Sequence, residues 1–260
     1  MSTEQVIASI LQRQKSIKSV RVTYDVTSTS FADPATIGPN EVWGDTRFTF
    51  VIERDRRFCR KTHSDTAYPQ VTASFDGQNT RKHLNRSVLV LAGKARECED
   101  GEMYCSMILQ LPYSDANQSD RRNSWILSDV LHLHKENYHL RPQREQIDGS
   151  WCHVLEWAKR DTIWIDPNLG WAVRKRINFY SDRSNHSVHK QLEYSLTKFV
   201  EGAPGIWVPK SAVLTMYRRP LDGDAAEPFA SWMFNVIEVQ INQVQESDFE
   251  INGDELRSPK

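Results

Sequence analysis

Cysteine is scarce in this 260-residue chain: Cys59, Cys98, Cys105 and Cys152 are the four, and no two of them have CxxC spacing. That is too few for a disulfide scaffold and excludes the paired-thiolate zinc motifs. An excess of one charge is also missing. With 33 Lys plus Arg against 34 Asp plus Glu, the formal net charge is -1, so no global field draws the chain to nucleic acid or to an anionic membrane. No window approaches the ~20 apolar residues of a membrane-spanning helix. The opening MSTEQVIASILQRQ lacks both the basic start and the apolar run of a secretion signal, so the chain as written reads as soluble and unanchored. No G-x-S-x-G, glycine-rich phosphate loop or HExxH occurs, so neither an enzyme nor a cofactor is expected.

What the chain does have is alternation. Ile147–Tyr180, IDGSWCHVLEWAKRDTIWIDPNLGWAVRKRINFY, reads as three strands joined by two tight turns. Trp151, His153, Leu155 and Trp157 share one face, Ile163 and Ile165 point together, and Trp171, Val173, Ile177 and Phe179 resume the period after the DPNLG reversal. Period-two segments recur from Val20 to Val26, Phe48 to Ile52, Val188 to Leu196, Ile206 to Met216 and Ile237 to Ile241, and Asp76-Gly77 marks a further hairpin.

Two segments are helical in period. Ser2 is placed to cap a first helix with Gln5 reaching back, and Val6, Ile7, Ile10, Leu11 and Ile17 form its apolar stripe. Ile126, Leu127, Val130 and Leu131 mark a short second helix within SWILSDVLHLHKE. The pattern predicts a single, mainly β (α+β) domain over 1–260, with a flexible connection near 114–123 and a disordered tail near 253–260. Its core is an antiparallel, strongly curved sheet, or unclosed half β-barrel, of about ten strands wrapping two or so helices, which cover one face only.

Chemistry-bearing residues are few and read as structural. His132 and His134 are two apart on a helix and diverge, which argues against a shared metal ion. Cys152 and His153 are strand neighbours facing opposite ways, and Asp161 and Asp166 likewise fall on opposite faces. The basic runs Arg54, Arg56, Arg57, Arg60, Lys61 and Arg174, Lys175, Arg176 read as solvated strand faces. If Gly101-Glu102 centres a hairpin, Cys98 falls opposite Cys105, either as a disulfide or as two small neighbouring side chains.

The turn and strand-start motifs carry a resemblance. Asp148-Gly149, Cys152, Val154-Leu155, Trp164-Ile165-Asp166-Pro167, Gly170, Arg174, Val208-Pro209 and Phe249, in this order of elements, are similar to the LolA/LolB-like outer-membrane lipoprotein-sorting superfamily, to which an RseB-type domain is related. The resemblance implies an incomplete barrel with an apolar cavity for a lipid or lipoprotein acyl chain, and a periplasmic or cell-envelope location if an upstream signal or anchor was removed. A partner protein in the envelope is the alternative, with the cavity filled by the chain's own side chains. Strand alternation then selects Val22, Tyr24, Phe48, Phe50, Phe179, Tyr194 and Leu214 as the expected lining, with no metal site.

Overall fold

A computed structural model describes residues 1–30, 46–54, 56–63, 70–84, 87–92, 127–181, 188–218 and 226–250. Cys98, Cys105, the connection near 114–123 and the tail near 253–260 lie outside the described residues.

Helix α1 (Thr3–Ser16) begins at a capping box: the Gln5 amide N–H donates to Ser2 Oγ, and the Ser2 N–H donates to Gln5 Oε1. It stops where Ile17 turns extended, at φ -90° and ψ 99°. Helix α2 (Leu127–His134) is shorter and runs into a 3₁₀ turn at Lys135–Asn137.

The strands are β1 (Ser19–Ser30), β2 (Thr46–Glu53), β3 (Arg56–His63), β4 (Val71–Phe75), β5 (Asn79–Leu84), β6 (Ser87–Ala92), β7 (His139–Leu140), β8 (Glu145–Ile147), β9 (Ser150–Trp157), β10 (Asp161–Asp166), β11 (Ala172–Ser181), β12 (Val188–Ala203), β13 (Ile206–Tyr217) and β14 (Pro228–Ile241). Fourteen strands among the described residues replace the expected ten, because short strands such as β5 and β7 carry too few residues for a legible alternation. Thirteen pair side by side in the order β6-β5-β4-β3-β2-β1-β14-β13-β12-β11-β10-β9-β7, and β8 attaches to β9. The pairings are antiparallel, and β1 lies beside β14, so the two ends of the chain meet mid-sheet.

Spread flat, thirteen strands would span roughly 58 Å at ~4.8 Å per strand, whereas a helix is only ~10 Å wide. Yet one continuous apolar cluster takes in Ala73 on β4, Leu155 on β9 and the buried stripes of both helices. The sheet must therefore curl around the helices.

Its outer face is not bare, which corrects the expectation of one covered side. Cys152, Val154, Trp164 and Ile177 form a second cluster under Ile147 of β8. A third joins Val51 and Phe58 to Phe249, which sits in a 3₁₀ turn at Glu246–Phe249, beyond the last strand rather than in it. Arg56 stacks over the Phe249 ring at 4.3 Å, and Arg21 pairs with Asp248 at 2.8 Å, so the C-terminal segment is strapped to the outside of β1–β3.

The turns follow their sequences. Asp148 and Gly149 both have positive φ, 47° and 81°, the primed two-residue hairpin that Asp-Gly favours. Asp76 accepts from the backbone N–H groups of Gln78 and Asn79 and closes the β4–β5 hairpin. At the DPNLG reversal Asp166 caps a 3₁₀ turn at Pro167–Leu169, and Gly170 follows in the left-handed region at φ 59°. A Cβ there would lie 2.3 Å from the Gly205 carbonyl oxygen in the β12–β13 hairpin. Gly170→Val therefore meets both left-handed strain and a backbone clash, and is expected to lower stability by at least about 2 kcal/mol. Urea denaturation of variant and parent measures it; superimposable curves would show the reversal to be tolerant.

Candidate functional site

The inner face is built from cross-strand pairs. Val22 and Tyr24 on β1 lie opposite Phe50 and Phe48 on β2, and Tyr194 on β12 lies opposite Leu214 on β13. The Tyr24 and Phe48 rings stack at 5.4 Å, and Tyr24 meets Phe234 of β14 at 6.1 Å. These six expected lining residues join one cluster and are only 0–6% exposed. They share that cluster with the buried apolar residues of α1.

Phe179 does not join them. The β10–β11 register skips Arg174, so the side-chain phase reverses there: Val173 faces inward, while Lys175, Ile177 and Phe179 face outward. Phe179 packs against the outer cluster instead. The inward positions pass to Arg176 and Asn178, a pair of polar residues in an apolar wall.

That exchange creates a buried polar cluster. Asp161 at the start of β10 is 2% exposed and Arg176 is 0% exposed. The Arg176 guanidinium donates from Nε to both Asp161 oxygens at 2.9 Å, and its Nη2 lies 2.7 Å from Oδ2. Tyr138 Oη donates to Asp161 Oδ2 at 2.5 Å, Asn178 Nδ2 donates to Oδ1 at 3.1 Å, and Tyr194 Oη accepts from Arg176 Nη1 at 3.4 Å. Burial works against the charge on Arg176, but the Asp161 carboxylate beside it outweighs burial and holds the proton well above the usual guanidinium range. Burial, then the same carboxylate, pushes the Tyr138 phenol up, so it remains a donor.

The two basic runs are thus only partly solvated: Arg54 is exposed, but most of the others are paired or buried. Arg174 pairs with Asp166 at 2.8 Å, Lys175 with Glu193 at 2.6 Å and Arg176 with Asp161, while Arg57 is 1% exposed and Arg56 pairs with Glu53 and Glu246. The available signal was the carboxylate supply: Asp161 and Asp166 bracket the strand that pairs with this arginine run.

Other chemistry is quiet. Burial pushes the Cys152 thiol up to about 11, against thiolate formation, and its side chain lies in the outer cluster while His153 stacks on Trp171 at 5.8 Å. His134 packs on Trp157 at 4.9 Å. Among the described residues no cluster of His, Cys, Asp and Glu is arranged to hold a metal ion, and no helix is long and apolar enough to cross a membrane. Two open clefts flank α1. One, of about 560 Å³, is lined by Ser9, Gln12, Arg13, Trp171 and Gly205; the other, of about 470 Å³, by Thr3, Glu4, Arg141, Arg144 and His153. Neither borders the expected lining residues.

No protein-family profile and no curated protein sequence matches the chain. Solved structures do resemble it. A LolA superfamily protein from Nitrosomonas europaea aligns over 96% of this chain and 98% of its own, at 10% identity and a TM-score of 0.48. An outer membrane lipoprotein-sorting protein domain from Vibrio parahaemolyticus aligns over 98% and 99%, at 11% identity and 0.48. A DUF1329 family protein from Desulfovibrio piger aligns over 98% and 99%, at 12% identity and 0.49.

Removing one member of the buried pair strands the other. Arg176→Met is expected to cost about 3–5 kcal/mol, and the double variant Arg176→Met/Asp161→Leu to recover most of that loss. Chemical denaturation of the double-mutant cycle measures both; a single variant as stable as the parent would mean the pair is not desolvated.

Proposed function

We propose that this chain is a non-enzymatic binding protein of the cell envelope, which takes up a lipid or lipoprotein acyl chain between the inner sheet face and its two helices. The observation that carries the reading is the extent of that face. Apolar side chains run from β4 to β9, interrupted only where the Asp161–Arg176 cluster enters the wall on β10 and β11, and among the described residues their helical cover is α1 and the eight-residue α2. Affinity would come from apolar burial, at ~25 cal/mol per Å² before ordering costs, with Val22, Tyr24, Phe48, Phe50, Tyr194 and Leu214 as the wall that a displaced helix uncovers. Phe179 is left out of this wall, since it faces the other way.

A second reading is favoured by the 0–6% exposure of those six residues. Packed so closely, the face would serve as an ordinary core, and the chain as an interaction module that meets a protein partner through its exterior.

Titration with a fluorescent long-chain fatty acid separates them. The acyl-binding reading expects saturable, near-stoichiometric binding at micromolar ligand, reversed by palmitate. Absence of saturable binding by the folded protein leaves the interaction module.

A further inference from the structure

The buried stripe of α1 is not wholly apolar. Val6, Ile7 and Ile10 give way in its last turns to Arg13 and Gln14. Arg13 finds a partner: its Nη2 donates to the Trp207 carbonyl at 2.6 Å. Gln14 is 2% exposed, and among the described residues neither its Nε2 nor its Oε1 has a hydrogen-bond partner. Ile10 lies one turn before it and Ile17 just under one turn after it, and both belong to the inner cluster. The amide is thus set in the row of side chains that α1 lays against the concave face.

This is an unusual place for an unsatisfied amide. A primary amide offers two donors and an acceptor, and burial without partners is among the least favourable arrangements available to it. Most such groups in native interiors are paired, and those that are not call for an explanation. The Asp161–Arg176 cluster shows that this chain can satisfy polar groups inside its wall.

We propose that Gln14 is the polar anchor of the acyl site, hydrogen-bonding the head of a long-chain carboxylic acid through its amide. The inference rests on the acyl-binding reading above and narrows it. Nε2 would donate to the carboxyl oxygen, and the hydrocarbon chain would run along the apolar wall away from α1. Arg13, one residue earlier, adds positive charge at the same end of the helix.

The test compares two ligands on the full chain: palmitate, and the headless hydrocarbon dye diphenylhexatriene. Gln14→Leu, which keeps the volume and removes the amide, is expected to weaken palmitate binding at least tenfold and leave the dye unchanged. In wild-type protein labelled with ¹⁵N, the Gln14 side-chain NH₂ signals are expected to shift on saturation with palmitate. Gln14→Asn, with the amide one methylene nearer the helix, should retain part of the affinity, and it serves as the second variant if the leucine form misfolds. Equal palmitate affinity in the Leu variant and wild type, with unmoved NH₂ signals, overturns the anchor while leaving the acyl site intact if the dye still binds. Failure of both ligands to bind wild-type protein overturns the acyl site itself.

Discussion

Thirteen hydrogen-bonded strands put more apolar surface on one side of a sheet than helices of fourteen and eight residues can cover while it stays flat. Water-exposed hydrocarbon at ~25 cal/mol per Å² makes a flat arrangement untenable, so the sheet rolls until its own strands complete the cover. The order of the chain makes the rolling easy. The pairing of β1 with β14 sets the first and last strands at the middle of the sheet, and α1, only two residues before β1, is delivered straight onto the concave side. The two outer clusters answer a smaller version of the same problem, where Trp164, Ile177, Phe58 and Val51 would otherwise be left in water.

Much of this was legible in the sequence wherever one local rule acts alone. The Ser2 capping box, the Asp148-Gly149 hairpin and the left-handed Gly170 each depend on a few adjacent residues, and each stands where its residues indicate. The inner positions Val22, Tyr24, Phe48 and Phe50 were readable because β1 and β2 keep an unbroken register with each other. Phe179 was not, because the extra residue at Arg174 is a property of the pairing between two strands, and nothing in the local alternation announces it. One misplaced residue reverses every later side chain on the strand.

The same bulge explains the buried ion pair. By shifting the phase it turns Arg176 inward, and a guanidinium there is tolerable only because Asp161 sits across β10 with Tyr138 and Asn178 saturating its oxygens. Pairs of this kind gain little net stability over a well-packed apolar substitute, since desolvation of both ions offsets their attraction. What the cluster does supply is directionality. Tyr138 follows α2 by a single 3₁₀ turn, so its bond to Asp161 fixes where the chain leaving that helix must sit on the sheet.

That placement bears on how firmly the inner face is closed. Leu127, Val130 and Leu131 are the buried apolar side chains α2 offers, and fully burying three such groups gains ~5–9 kcal/mol. Ordering the backbone of its eight residues costs at least ~8 kcal/mol. Apolar burial alone therefore leaves α2 near balance, and its position depends on the anchors just beyond it: Tyr138 on Asp161, the edge contact of Tyr138 with Trp157 at 5.8 Å, and His134 on the same indole. Helix α1, with a capped start, a longer buried stripe and a bond from the Leu140 N–H to Thr3 Oγ1, is held from more directions. Of the two helices among the described residues, α2 is the one whose departure costs least.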